Sequence, residues 1–294
     1  MAERIEYTVT KEDEGMTLGR LARQRMAVSA SLLRQLKWTG GGILLDGEPV
    51  FTDVRPAAGQ VISLAQGRPV RSEGVIPEDG PVDIAYEDEL MLVLSKPGGM
   101  AVHPIGPMPR GTLANYVMGL FERRGEPLVF HAINRLDRGT SGLLCVAKTK
   151  YAANLLERAL WEGRLTRAYY AVCEGEPDPP AGTVDLPIGR AEGHGIKRAV
   201  TPDGQPAVTH YETVRTGRGN SLLYLTLDTG RTHQIRVHLS HLGHPLIGDF
   251  MYGTERPDFP RVALHSCRVH IDLPDRTVDV ETPVPDCFLP FIDL

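Results

Sequence analysis

His131-Ala-Ile-Asn-Arg-Leu-Asp-Arg-Gly-Thr-Ser-Gly-Leu-Leu144 sets one carboxylate, Asp137, between Arg135 and Arg138 and follows it with a Gly-Thr-Ser-Gly turn. The segment then runs directly into Leu143-Leu-Cys-Val-Ala147, an apolar run of strand length. Taken alone the motif has a plain explanation. Asp, Gly, Thr and Ser are ordinary turn formers, and an aspartate among arginines is an ordinary loop salt bridge. A functional reading needs other segments that make chemical sense beside it.

Two other polar islands interrupt apolar runs. Arg167-Ala-Tyr-Tyr170 places an arginine and two tyrosines in a β-like stretch, which core packing with an incidental arginine also explains. Asp228-Thr-Gly-Arg-Thr-His-Gln-Ile-Arg-Val-His238 is the third. With His241 and His244 it raises the question of a metal, but there is no HExxH pattern and no matched acidic ligand, so no metal is expected.

Around these islands the pattern is strand-rich. Short β-like runs recur at Asp83–Tyr86, Leu90–Leu94, Leu143–Ala147, Ala168–Cys173, His210–Val214, Leu222–Leu227 and Arg268–Ile271. Helical spacing covers Leu113–Arg123 and Lys150–Trp161, whereas Thr232–Leu242 is ambiguous between helix and strand. Many strands with few helices in irregular order predict an α+β fold with a central mixed, largely antiparallel sheet. No GxGxxG leads from a strand into a helix and no GxxxxGK[ST] occurs, so no nucleotide cofactor is implied.

The 294 residues are long enough for a large domain and a small one, and 41% apolar with 23% charged residues excludes a disordered tail or a fibre. The N-terminal Met1–Gly15 has no apolar core for a signal peptide and no stretch approaches the ~20 apolar residues of a membrane span, so a cytoplasmic protein with no membrane partner is expected. Cys145, Cys173, Cys267 and Cys287 lie far apart without a CxxC pair, which suits reduced, mostly buried thiols. The net charge of -5 leaves nucleic-acid binding to be decided by where the charge lies.

It lies partly near the N-terminus. Thr17–Trp38 reads as two short helices broken near Ala27–Ser29, with Ser29 or Ser31 available as a cap. Arg20, Arg23, Arg25, Arg34 and Lys37 fall in this stretch and no acidic residue does. Solvated helix faces account for that, and so does a surface for RNA phosphates. An apolar run with Asp46-Gly47 signals a hairpin, and Val61–Leu64 a further strand. Residues 66–80, rich in Pro, Gly and charge, read as a linker, giving a module at 1–68, a linker at 69–80 and a large domain at 81–294. Residues 15–65 resemble the S4-like RNA-binding domain, with Leu44-Leu-Asp-Gly47 where that family shows Val-x-Val-Asn-Gly.

The islands together resemble the RluA family of pseudouridine synthases. Asn134-Arg-Leu-Asp-Arg-Gly-Thr-Ser-Gly-Leu-Leu144 is similar to the signature His-Arg-Leu-Asp-x-x-Thr-Ser-Gly-Leu-Leu, with Asn134 in the usual histidine position. Ser95-Lys-Pro-Gly98 with His103-Pro104, Tyr169 after a basic residue, Thr229–His238 and His244–Gly253 extend the likeness in order from about Val82 to Leu289. The resemblance implies that Asp137 is the catalytic nucleophile, that Tyr169 packs against the target base and that Arg231 pairs with Asp137. It implies that Arg135 fills the stack vacated by a flipped uridine. Arg167, where lysine is common, joins Thr140, His233 and Leu264 as expected substrate-binding residues. No cofactor and no obligate protein partner are implied.

Those roles fit the chemistry. Pseudouridine formation breaks C1'–N1, rotates the uracil and joins C1' to C5, without hydride transfer or net hydrolysis. A carboxylate assists by attacking C1' or by removing a C2' proton while the base stays trapped. An arginine offsets the cost of burying that carboxylate. The expected partner is structured RNA, ribosomal from the large subunit by the appended module, with transfer RNA as the alternative. Two rivals remain at this level: a non-catalytic RNA-binding or ribosome-assembly protein, and a nucleic-acid glycosidase.

Overall fold

The computed structural model describes residues 4–65, 75–106, 108–126, 129–193 and 195–292. The first element is strand β1 (Arg4–Thr8), followed by helices α1 (Leu18–Gln24) and α2 (Ala30–Lys37). Each helix starts where a hydroxyl satisfies an otherwise orphaned amide: Thr17 accepts from the Arg20 N–H and Ser29 from that of Leu32. Between them Ala27 takes a positive φ of 53°, which makes the break. Strands β2 (Ile43–Leu45) and β3 (Glu48–Pro49) form the hairpin expected at Asp46-Gly47, both of whose residues have positive φ (51° and 89°). That is the backbone of a type I′ turn. With β4 (Val61–Ala65) they make a four-stranded sheet ordered β1-β4-β2-β3, which buries Ile43, Leu45, Ile62 and Leu64 against Leu18, Leu21, Leu32 and Leu36 of the helices.

The basic residues of these helices are exposed, as a phosphate-facing surface requires. Arg25 is an exception in its pairing. Its Nε donates at 2.8 Å to Asp13, a buried carboxylate that also accepts from Tyr7 and Thr10. Burial opposes ionisation of Asp13, but these hydrogen bonds hold its carboxyl below the ordinary range. Arg25 therefore serves the module's own structure, through an acid that lies outside the 17–38 stretch. Residues 66–74, which include the first half of the expected linker at 69–80, lie outside the described residues. Residues 75–80 are described and lie along the next helix, with Asn115 Nδ2 donating to the Ile76 carbonyl.

From there the order is β5 (Ile84–Glu87), β6 (Met91–Lys96), α3 (Leu113–Arg124), β7 (His131–Ala132), β8 (Ser141–Ala147), α4 (Lys150–Trp161), β9 (Leu165–Glu174), β10 (Ala181–Asp185), β11 (Ile188–Arg190), β12 (Arg198–Val200), β13 (Val208–Gly217), β14 (Asn220–Leu227), α5 (Gln234–His241), β15 (Leu264–Asp272) and β16 (Thr277–Glu281). One sheet runs β10-β13-β14-β9-β15-β8-β6-β5, with β16 on β15 and β7 on β8, while β11 and β12 pair separately. All its pairs are antiparallel except β8 with β15, so the sheet is mixed and largely antiparallel. Helices α3 and α5 cover one face through Leu113, Val117, Phe121, Ile235 and Leu239. Helix α4 covers the other through Ala152, Ala153, Leu156 and Ala159, the spacing of a single apolar stripe.

The ambiguous Thr232–Leu242 stretch is helical. Gln234 decides it: Oε1 accepts from the Arg231 amide at 2.9 Å and from the Thr229 hydroxyl at 2.8 Å, and Nε2 donates to the Val208 carbonyl and Thr209 hydroxyl. A strand there would lose this buried network.

Strand β8 is buried along its whole length, which is why it reads as a continuous apolar run and not as an alternation. It meets β15 through His265↔Ser141 and Ser266↔Gly142. Gly142 has φ 104°, and a Cβ there would lie 2.2 Å from the Ser266 carbonyl oxygen. Only glycine satisfies both constraints. Gly142→Ala is expected to cost about 2 kcal/mol or more, read as a melting temperature lower by at least about 4 °C; an unchanged melting curve would contradict the close approach.

Candidate active site

Asp137 sits in the loop that enters β8, and the loop is clamped on both sides. On one side Asn134 Oδ1 accepts from the Cys145 amide at 2.9 Å and the Ile133 amide bonds the Cys145 carbonyl. Asn134, in the position where the resembled family has histidine, thus ties the loop to the central strand. On the other side Gly99 and Arg138 exchange hydrogen bonds, Gly99 N to the Arg138 carbonyl at 2.7 Å and Arg138 Nε to the Gly99 carbonyl at 2.8 Å. Beneath them Lys96 is 1% exposed and donates from Nζ to the carbonyls of Pro97, Met100 and Arg138. Burial pulls its pKa down to about 8, with Asp137 opposing the shift and Arg261 adding to it. A loop whose backbone groups are held in this way presents its side chain in one geometry.

The carboxylate's partner is Arg236, on the inward face of α5. Its Nη1 donates to Asp137 Oδ2 at 3.0 Å, while Nε and Nη2 fork onto Asp249 at 2.7 and 2.8 Å. Asp249 is 1% exposed and also accepts from the amides of Met251 and Tyr252. The Tyr252 ring lies 5.0 Å from the guanidinium carbon. Burial alone would lower the Arg236 pKa, but Asp249 first and Asp137 next raise it well above its ordinary value. The group is a permanent cation bound to two anions. Asp137 Oδ1 has no hydrogen-bond partner among the described residues, so one oxygen is held and the other faces the cleft.

This corrects the expected pairing of Asp137 with Arg231. Arg231 precedes α5, and its Nε donates to the Pro206 carbonyl at 3.0 Å. One helical turn later the chain points inward, and it is Arg236 that reaches the acid. Both arginines belong to the same sequence island. The signal that separates them is the second acid, since only Arg236 has a buried carboxylate, Asp249, to fix its fork.

All eight residues expected in catalysis or substrate binding, Asp137, Tyr169, Arg231, Arg135, Arg167, Thr140, His233 and Leu264, line one cleft of about 320 Å³, joined there by Arg236. That is the small end of the range for ligand pockets, roughly 300–1,000 Å³. Tyr169, on β9 between Leu225 of β14 and Ser266 of β15, is 5% exposed, and burial raises its phenol pKa. Arg167 brings a buried Nε with no hydrogen-bond partner. His233 has a positive φ of 60°; its Nδ1 lies 2.8 Å from the Tyr252 hydroxyl and its Nε2 3.8 Å from Asp137 Oδ2. Burial lowers its pKa against the opposing pull of Asp137, and the net shift favours the neutral imidazole. His238 instead bonds Thr209 and the Leu186 carbonyl, and His244 the Glu174 carbonyl, so these histidines do not converge.

Reasoning from sequence missed Arg236, Asp249, Lys96 and Tyr252 as parts of the site, although all four lie within motifs singled out above. A fixed carboxylate, a neutral phenol, a neutral imidazole and surplus arginine charge suit chemistry on a polyanion in which an anionic group acts near a sugar.

The chain and its fold are similar to those of known proteins. A sequence model described as RNA pseudouridylate synthase matches residues 90–241. The chain is 40% identical over 241 residues to the uncharacterized RNA pseudouridine synthase YjbO of Bacillus subtilis, covering 82% of this chain and 85% of that protein. It is 38% identical over 312 residues to ribosomal large subunit pseudouridine synthase D of Vibrio vulnificus, covering 97% and 93%. Among solved structures, human RNA pseudouridylate synthase domain containing 1 superposes with a TM-score of 0.61 at 32% identity, over 74% of this chain and 89% of that one. A mixed sheet with flanking helices, a cleft built on its central strands and these relatives together assign the family: the chain belongs to the RNA pseudouridylate synthases, the isomerases that turn uridine into pseudouridine in RNA.

Proposed function

We propose that this protein isomerises specific uridines of large-subunit ribosomal RNA, with Asp137 as the catalytic carboxylate. The observation that carries the reading is the Asp137–Arg236 contact of 3.0 Å at the base of a cleft walled by Tyr169 and Leu264. Support for the ribosomal substrate comes from the relative in Vibrio vulnificus, a ribosomal large subunit enzyme aligned over 97% of this chain.

In this reading the target uridine leaves its stack at a cost of a few kcal/mol and enters the cleft, with Arg135 at the vacated position. Its uracil lies against Tyr169 and Leu264. Asp137 attacks C1' or takes the C2' proton, and the C1'–N1 bond breaks. The uracil, retained by the cleft walls, turns and bonds C1' through C5, which displaces Asp137 from C1' in the first route or returns the proton to C2' in the second; C5 then loses its proton and N1 gains one, which completes the isomerisation. Arg236 aims the carboxylate, and Arg135, Arg167 and Arg231 balance charge on the RNA and the detached base.

The same reading gives residues 1–68 the role of an S4-like RNA-binding module joined through a linker at 69–80 to a catalytic domain at 81–294. Arg20, Arg23, Arg34 and Lys37 are exposed, and none is paired with a carboxylate among the described residues. They are the phosphate contacts; Arg25 is committed to Asp13.

Three outcomes test this function. Pseudouridine mapping across total RNA is expected to lose sites on gene deletion, regain them with the wild-type gene and not with Asp137→Asn, whose purified protein keeps RNA affinity within a few-fold. Lost sites in transfer RNA would redirect the substrate, and restoration by Asp137→Asn would remove the carboxylate from the mechanism. Arg236→Lys is expected to lower kcat by roughly a hundredfold, since an ammonium cannot fork onto Asp249 and still reach Asp137. Arg231→Lys should cost less than about tenfold; the reverse order would reinstate Arg231 as the partner. Replacing Arg20, Arg23, Arg34 and Lys37 by glutamine should flatten the slope of log K against log salt by about 3, and equal slopes would rule out a phosphate role for the helices.

A further inference from the structure

Both tryptophans of the chain stand in solvent, Trp38 at 87% and Trp161 at 86% of full exposure. An indole is among the more buried side chains on average, so a bare one beside a binding cleft calls for a reason. Trp161 is the last residue of α4, and its surroundings are fixed. Leu160, immediately before it, packs against the core that holds Ile133, and both line the cleft. Three positions back, Arg158 Nη1 donates at 2.8 Å to the Gln24 carbonyl at the end of α1. Tyr151 of the same helix packs into the core of the N-terminal module as well as that of the large domain. The module thus rests on α4 and leaves the indole bare. After it, Glu162 accepts from Arg158 Nε at 2.7 Å and from Arg164 Nε at 2.9 Å, and Arg164 Nη1 donates to the Asp272 carbonyl at 2.6 Å. The acid next to the indole is therefore neutralised and does not repel a polyanion.

At about 320 Å³ the cleft encloses a flipped base and not its neighbours, so the flanking nucleotides cross its rim. Consecutive Cα atoms lie about 3.8 Å apart, which puts Trp161 one residue outside the wall made by Leu160. Arg135, two positions after Ile133, lines the same cleft. A single flat face ringed by paired charges is far short of the roughly 800 Å² that each side of a stable protein interface buries. It is what one nucleobase needs, and every base has such a face.

We propose that Trp161 is a stacking platform for the nucleobase next in the strand to the target uridine, holding that unpaired neighbour at the rim while the uridine is in the cleft. The inference rests on the cleft's taking the target uridine. Because the contact involves no ionic group, it adds affinity without adding counterion release.

The test reads the indole directly. In full-length W38F protein Trp161 is the one tryptophan left, and its emission is expected to be quenched as transcribed large-subunit ribosomal RNA is added, with W38F/W161F as the blank. In filter binding W161A is expected to bind that RNA about tenfold more weakly and W161F within about threefold of wild type, with the slope of log K against log salt unchanged in both. Turnover by W161A should show the loss in KM with kcat retained, since the contact lies outside the reacting nucleotide. Emission unchanged at RNA saturation overturns the platform, whether or not product forms. So does wild-type affinity in W161A, an equal loss in W161F, or a flattened salt slope, which would assign the loss to phosphates. A quenched indole without any pseudouridine formed by the wild-type protein refutes the modification of that RNA and leaves the platform standing.

Discussion

A single buried guanidinium joins the parts of this molecule that come from distant sequence. Arg236 stands on α5, takes Asp249 from the loop before β15 and reaches Asp137 in the loop before β8. Burying an arginine is costly unless its donors are used, and here each of Nε, Nη1 and Nη2 has a carboxylate oxygen. Asp249 compensates the charge inside the fold, so the contact to Asp137 can be devoted to orientation. The contact is also asymmetric: one oxygen of Asp137 is engaged and the other faces the cleft. The sheet, the capped helix and the clamped loop hold three charged groups still, two of them, Arg236 and Asp249, buried and the third, Asp137, partly open to the cleft.

The architecture around that contact follows from strand order. Adjacent strands β14, β9, β15 and β8 set Leu227, Tyr169, Leu264 and the Asp137 loop around one cleft although they are scattered through the chain. The interactions between them are of backbone pairing and apolar packing, neither of which is chemical in the catalytic sense. The polar groups of the cleft come from the loops at the ends of these strands, from β9 and from α5.

Much of this was readable in the residues. Helix α4 was visible from its apolar spacing to its limits at Lys150 and Trp161, and the Asp46-Gly47 turn from two residues that tolerate positive φ. The cleft residues came through as polar islands between apolar runs. Strands β1, β10 and β16 were not legible because each is short and mixes exposed polar residues with few buried ones. The helix at α5 was hidden because its polar residues, Gln234 and Arg236, are buried for their hydrogen bonds and break the amphipathic pattern. Pairing was the least visible feature. Arg231 and Arg236 have the same side chain within one motif, and only the three-dimensional position of Asp249 distinguishes them. Arg25 shows the same limit, since the acid that neutralises it lies twelve positions away, beyond the helix that carries it.

The parallel contact between β8 and β15 also sets an order of assembly. Ser141 and His265 share a hydrogen bond of 2.9 Å across 124 positions of sequence, and Leu264 completes the cleft wall from the same late strand. During synthesis the Asp137 loop leaves the ribosome long before the strand that supports it. Contacts of such span form slowly, because a long loop must close before any of them is gained. A growing chain therefore carries Asp137 without a cleft to hold it, and competence to modify RNA arrives with nearly the last strand of the sheet.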